Sequence, residues 1–265
     1  MKYICRCTLK GLADLQLDDD KKGLMKNTQF YQLLNVKEKA TSLFLVHKFF
    51  ECYKVTNKHF EVMQKVVSID VSDIERITEL NARGNLYEKS VSRDIPKWYI
   101  ELCDKYPNPM NVKEGNETEA MKNNKEENLR KKKKKDNPML NKAMVSHVLH
   151  AMHVDTKEAQ ENFRKLLCYF LICFYVDAPT EDIGALHHFA DVTDSEKFEK
   201  ICWAQMMLSN IFDSAKKLSS GKQTYITCNS PVVDVRFSLS IIFSPFSPLS
   251  TRLYLVFLGF HVIKF

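Results

Sequence analysis

Between Pro107 and Pro138 the chain has too few large apolar side chains to build a core, and any fold must be arranged around that gap. Pro107-Asn-Pro109 opens the stretch, Asn123, Asn124, Glu126 and Glu127 occupy its middle, and Arg130 with Lys131, Lys132, Lys133, Lys134 and Lys135 ends it. Such a composition cannot offset the conformational entropy of ordering, so residues 107–138 are predicted to be a disordered basic linker. The linker divides the remainder into an N-terminal helical lobe with a short β hairpin (residues 1–106) and a C-terminal helical bundle (139–229). An apolar tail (230–265), non-native or poorly ordered, follows. The formal net charge of the whole chain is +6, and Arg130 to Lys135 carry six positive charges, so the rest of the sequence is close to neutral. The expected fold class is therefore mainly α: two helical lobes, a small β element in the first, and a disordered basic connection.

Each lobe has its own periodicity. In the first, Leu12, Leu15, Phe30, Leu33 and Leu34 mark helical core positions, and Asp20 is placed to cap a helix. Leu43 to Cys52 reads as an apolar helix. Phe60, Val62, Val66, Val67 and Ile69 are β-branched or aromatic and spaced for a hairpin. Ser72 or Asp70 then caps a helix carrying Ile74, Ile77 and Leu80 that ends near Gly84, and Trp98 to Cys103 closes the lobe. In the second lobe Leu140, Met144, Val148 and Met152 recur every four residues along one helix face. Glu161 to Val176 reads as a buried helix stopped by Pro179, and Thr180 caps a short helix through Ala190. Thr193-x-x-Glu196 is a capping box, predicted to open one long helix through Leu218 that carries Phe198, Ile201, Trp203, Met206 and Phe212. Ser219-Ser220-Gly221 stops it.

Composition and targeting signals narrow the class. With 7 Gly and 8 Cys in 265 residues and 45% hydrophobic content, collagen-like, disulfide-dense and wholly disordered chains are excluded. No apolar segment follows Met1, so no secretory signal is read, and the eight cysteines (5, 7, 52, 103, 168, 173, 202 and 228) are expected as free thiols. The expected compartment is nuclear, with cytoplasmic the alternative. The longest unbroken apolar run, Leu166 to Val176, has eleven residues against the ~20 a membrane-spanning helix needs, so it reads as core. The tail from Arg236 to Phe265 lacks acidic residues and is broken by Pro245 and Pro248. Its best apolar stretch, Leu253 to Ile263, is again eleven residues, and a membrane is not an expected partner.

Few residues suggest chemistry. Arg130 to Lys135 has the form of a nuclear-import signal, consecutive cations that an acidic groove in an import receptor can read. The same run could neutralise phosphates weakly and without sequence preference, although no interleaved aromatic favours single-strand stacking. His147, His150 and His153 recur every three residues on a helix, but the outer two lie about 120° apart on the wheel, so surface histidines are preferred to a metal site. Cys5-x-Cys7 lacks the spacing and second ligand pair of a zinc knuckle. Cys202, beside Trp203, reads as core. Gly221-Lys222 stands alone, without a phosphate-cradling loop. No catalytic, metal-binding or cofactor-binding residue is assigned, and no cofactor is expected.

The layout resembles a plant family of transposon-related proteins, in which this helical region often precedes a SUMO-protease-like cysteine peptidase or is described as a plant mobile domain. The N-terminal half carries the resemblance in Arg6-Cys7-Thr8 with Leu12, Gln29-Phe30-Tyr31-Gln32-Leu33-Leu34, Phe60-Glu-Val, Val66, Asp70-Val71-x-x-Ile74, and Leu80 before Gly84. The C-terminal half carries it in Phe163-Arg164-x-Leu166-x-x-Tyr169-x-Leu171, Ala178-Pro179-Thr180, Asp191-Val192, Cys202-Trp203-Ala204 and a Gly-Lys turn before Cys228. The resemblance spans roughly residues 5 to 229 and rests on core and turn residues. This chain departs from the pattern at Thr227, where the family has glycine, and at Asn229-Ser230-Pro231, where a long apolar helix is expected. The 36 residues after Asn229 leave no room for the peptidase, which suggests a fragment or a mis-spliced tail. The resemblance implies a non-catalytic, transposon-derived nuclear interaction module of unknown partner. The alternatives are a non-specific DNA-associating protein acting through the linker, and an accessory or remnant region of a cysteine peptidase.

Overall fold

The computed structural model describes residues 15, 17–35, 43–62, 64–91, 94–107, 138–177, 184–223 and 226. The basic run, most of the linker and the apolar tail lie outside the described residues, as do Cys5, Cys7, Pro179, Thr180 and Cys228. The architecture is mainly α with one small β-sheet early in the chain. In order, the elements before the linker are α1 (Asp19–Gly23), a 3-10 turn (Gln32–Asn35), α2 (Leu43–Glu51), β1 (Tyr53–Lys54), β2 (His59–Val62), β3 (Lys65–Val67), α3 (Val71–Thr78) and α4 (Lys97–Lys105). After it come a 3-10 turn (Pro138–Leu140), α5 (Lys142–Ala151), α6 (Lys157–Leu171) with a π-helical continuation (Ile172–Val176), α7 (His188–Thr193), α8 (Ser195–Lys200) and α9 (Trp203–Ser219).

The predicted hairpin is a three-stranded antiparallel sheet in the order β1-β2-β3, with Phe60 opposite Tyr53 on one side and Val67 on the other. Phe60 is buried because Phe49 of α2 stacks on it at 4.1 Å and Phe212 of α9 approaches at 6.4 Å. The sheet is thus held between a helix of its own region and one from beyond the linker. Of the two caps the sequence offers for helix α3, Asp70 rather than Ser72 is used: Asp70 accepts from the Asp73 amide at 3.0 Å, and Asp73 accepts from the Asp70 amide at 3.2 Å. This reciprocal capping box satisfies two amides that the first turn leaves without partners. The helix stops at Glu79, which is left-handed at φ 59°, before Gly84 is reached.

The two helical regions on either side of the linker share one hydrophobic core. Helix α9 packs on α2, α3 and β1, Phe30 meets Phe198 at 5.2 Å and Trp203 at 5.6 Å, and Tyr99 of α4 meets Phe189 of α7 at 5.0 Å. The Tyr99 hydroxyl donates to the Met139 carbonyl across the same seam. Lys21 of α1 reaches the end of α5, donating to the carbonyls of Leu149 (3.2 Å) and His150 (2.9 Å), where a helix terminus favours a cation.

Three local expectations change. The cap of α1 is Asp18, which accepts from the Lys21 amide at 2.7 Å, rather than Asp20. Asp194, not Thr193, caps α8, because the Thr193 hydroxyl is spent on the Phe189 carbonyl at 2.7 Å. The long helix expected from Thr193 to Leu218 is two helices, α8 and α9, broken at Ile201–Cys202. The break comes from residues 80–91, a segment outside helix and sheet, hereafter the strap. The Asn85 amide donates to the Lys200 carbonyl at 2.7 Å, and the Asn85 carbonyl accepts from the Cys202 amide at 2.9 Å. These bonds take the place of helical ones. Gly84 makes the approach possible: at φ +126° a Cβ there would lie 2.3 Å from the Lys200 carbonyl oxygen.

Candidate functional site

Just beyond the break, the strap carries Tyr87 into a largely buried polar cluster. Asp177 is supplied by the end of the π-helical turn. That turn is an i→i+5 arrangement of the kind often found at functional sites, closed by the Asp177 amide on the Ile172 carbonyl at 2.8 Å. Helix α7 supplies His188 and, three residues on and hence on the same face, Asp191. Both of these side chains are fully buried.

His188 lies between two carboxylates, with Nε2 3.1 Å from Asp177 Oδ2 and Nδ1 3.0 Å from Asp191 Oδ2. The Tyr87 hydroxyl donates to Asp191 Oδ2 at 3.1 Å, and Asn210 of α9 donates to Asp177 Oδ1 at 3.1 Å. The remaining Asp191 oxygen, Oδ1, is buried without a hydrogen-bond partner among the described residues. Burial opposes a charge on His188, but hydrogen bonds to Asp177 and Asp191 outweigh it and raise its pKa. Burial likewise opposes a charge on Asp177, and the bond from His188 prevails, holding this carboxyl below its usual range. Tyr87 is pushed up by burial and then by the Asp191 charge, so it stays a donor. The cluster is one imidazole shared by two acidic side chains, Asp177 and Asp191.

His187 stands beside it, its ring 4.1 Å from that of His188. Burial, then the neighbouring His188 charge and Lys89, lowers its pKa to about 4, so it is neutral near pH 7. One ligand atom each from Asp177, His187 and His188 falls within 4.8 Å of the others. His187 also lines a groove of about 600 Å³ together with Lys89, Ser90 and Val91 of the strap and Ala185 and Leu186 of the turn into α7. His187 thus stands between the groove and the buried cluster.

None of these residues stood out in the sequence except Asp191, which entered only as part of a resemblance. A His-His pair followed by Asp at the next helical turn is a faint local signal. The partners that give it meaning, Asp177 and Tyr87, come from other segments, Tyr87 from 101 positions before His188. The residues expected to matter, Arg130, Lys131, Lys132, Lys133, Lys134 and Lys135, lie outside the described residues. His150 and His153 are exposed and His147 is half-buried on α5 and its continuation, in line with surface histidines. Cys103, Cys168, Cys173 and Cys202 are buried, and Cys52 is half-buried; all five are free. Burial raises the pKa of Cys103, Cys168 and Cys173, which keeps those thiols protonated. No helix among the described residues is long and apolar enough to cross a membrane.

In comparison with known proteins, residues 5–229 fit a family model described as a domain of unknown function, DUF8566. No curated protein and no solved structure matches the chain.

Proposed function

The chain belongs to the DUF8566 family, a domain of unknown function; on the observations that follow, we propose that it is a non-catalytic interaction module, nuclear and of transposon origin. The observation that carries the binding role is the strap. Its backbone is fixed at Asn85 and its Tyr87 ring is held in the polar cluster, yet Leu86 and Val91 turn outward with 71% and 97% of their surfaces exposed. Large apolar side chains on a preorganised backbone lose little entropy when a partner covers them, which is how interface anchors work. The transposon origin is supported by the motif residues of the resemblance. The nuclear address is supported by the form of Arg130 to Lys135, which suits an import receptor.

Two measurements test this together. Replacing Lys131 to Lys135 with Ala in a fluorescently tagged chain is expected to shift the signal from nucleus to cytoplasm; an unchanged distribution removes the nuclear claim. Val91→Asp is expected to leave the thermal melt unchanged while removing neighbours found by proximity labelling in cells. Identical neighbour sets would reject the strap as the contact. If DNA is instead the partner of the basic run, binding falls steeply with salt and disappears in the same Lys-to-Ala chain. A peptidase remnant would need a reactive thiolate. Iodoacetamide on the native protein is expected to spare Cys103, Cys168 and Cys173, and rapid labelling of any of the three would revive an enzymatic role.

A further inference from the structure

We propose that Asp177, His187 and His188 form a binding site for a divalent ion of the zinc class, with Asp191 orienting His188. The site goes beyond the interaction role and does not depend on it.

Geometry is the first support. His188 Nδ1 is engaged by Asp191 Oδ2 at 3.0 Å, which fixes the ring and leaves Nε2 facing Asp177 Oδ2 at 3.1 Å. Two ligands held by one tetrahedral zinc, each about 2.1 Å from it, lie roughly 3.4 Å apart. The ion therefore fits with a few tenths of an ångström of separation between these two groups. His187, within 4.8 Å of both, must close by roughly one more ångström. It is the half-buried member that borders the groove, so its ring has room to turn.

The outer sphere is the second support. A carboxylate holding the far nitrogen of a ligating histidine is the usual support for a bound metal, and Asp191 is itself held by the Tyr87 hydroxyl at 3.1 Å. Asn210 at 3.1 Å fixes the other oxygen of Asp177. Two imidazoles and one carboxylate favour zinc-class ions over magnesium or calcium, which prefer all-oxygen sites. The groove supplies an entry path and a source of water for the fourth position.

The test is titration of the tag-free full chain, first stripped with a chelator, by Zn²⁺ in competition with a chromophoric chelator. One equivalent is expected to bind saturably and to raise the melting temperature, with Mg²⁺ producing neither effect. His187→Ala, chosen because the residue is half-buried, is expected to fold and to lose the stoichiometric binding. Asp191→Asn is expected to weaken it about 10- to 100-fold. Replacing His147, His150 and His153 together with Ala is expected to leave it intact. No saturable zinc binding by the wild-type chain would overturn the proposal. So would binding that survives His187→Ala, or binding lost only in the triple α5 variant, which would place the ion on the surface.

Discussion

Two polar clusters in this protein use the same chemistry and differ in reach. At the start of α3, Asp70, Ser72, Asp73 and Arg76 satisfy one another within seven consecutive residues. Asp70 and Asp73 cap reciprocally, Ser72 donates to Asp70 at 2.6 Å, and Arg76 pairs with Asp73. In the buried cluster, Tyr87, Asp177, His188, Asp191 and Asn210 bond to one another across four separate segments. The first cluster starts a helix. The second pins the strap, the π-helical turn, α7 and α9 to one another, and so holds the two sides of the linker together. Local clusters set where elements begin, and non-local ones set where elements meet.

If that contrast is right, the non-local cluster is the costlier one to damage. His188→Ala leaves two carboxylates without their shared partner, and loss of one member of a buried ion pair costs about 3–5 kcal/mol. Urea denaturation of this variant is expected to show that loss, or no folded baseline at all. The strap's attachment comes next. Gly84→Ala would force a Cβ against the Lys200 carbonyl at a left-handed φ, and a strained position of this kind costs about 1–3 kcal/mol. Asp70→Ala removes only a local cap and is expected to cost about 1 kcal/mol. His150→Ala, at an exposed site, is expected to stay within about 0.5 kcal/mol of wild type. A larger loss from Asp70→Ala than from His188→Ala would reverse the ranking and break the comparison.

The same distinction decides what could be read from the sequence. The Asp70 cap, the hairpin around Phe60, Val66 and Val67, and the stripe from Leu140 to Met152 all follow from neighbours a few positions away, and each is found in the fold. The mainly helical class with one early β element follows from them. The break at Ile201–Cys202 could not be read, because no Gly or Pro interrupts residues 193–218. Only Asn85, from the other side of the linker, breaks that helix. The candidate site was hidden for the same reason: His188 looks ordinary until Asp177, Asp191 and Tyr87 converge on it. That the strap and α9 join the two helical regions into one core was equally invisible, since no sequence period links Phe30 to Trp203.

The most direct test of that joining is a double-mutant cycle between Tyr87→Phe, which deletes only a hydroxyl, and Asp191→Asn, with stability measured by urea denaturation. Direct contact through the 3.1 Å hydrogen bond predicts a coupling energy of about 0.5–3 kcal/mol. Losses that add to within about 0.3–0.5 kcal/mol would show that the two residues act independently, and would contradict a cluster that holds the two regions together.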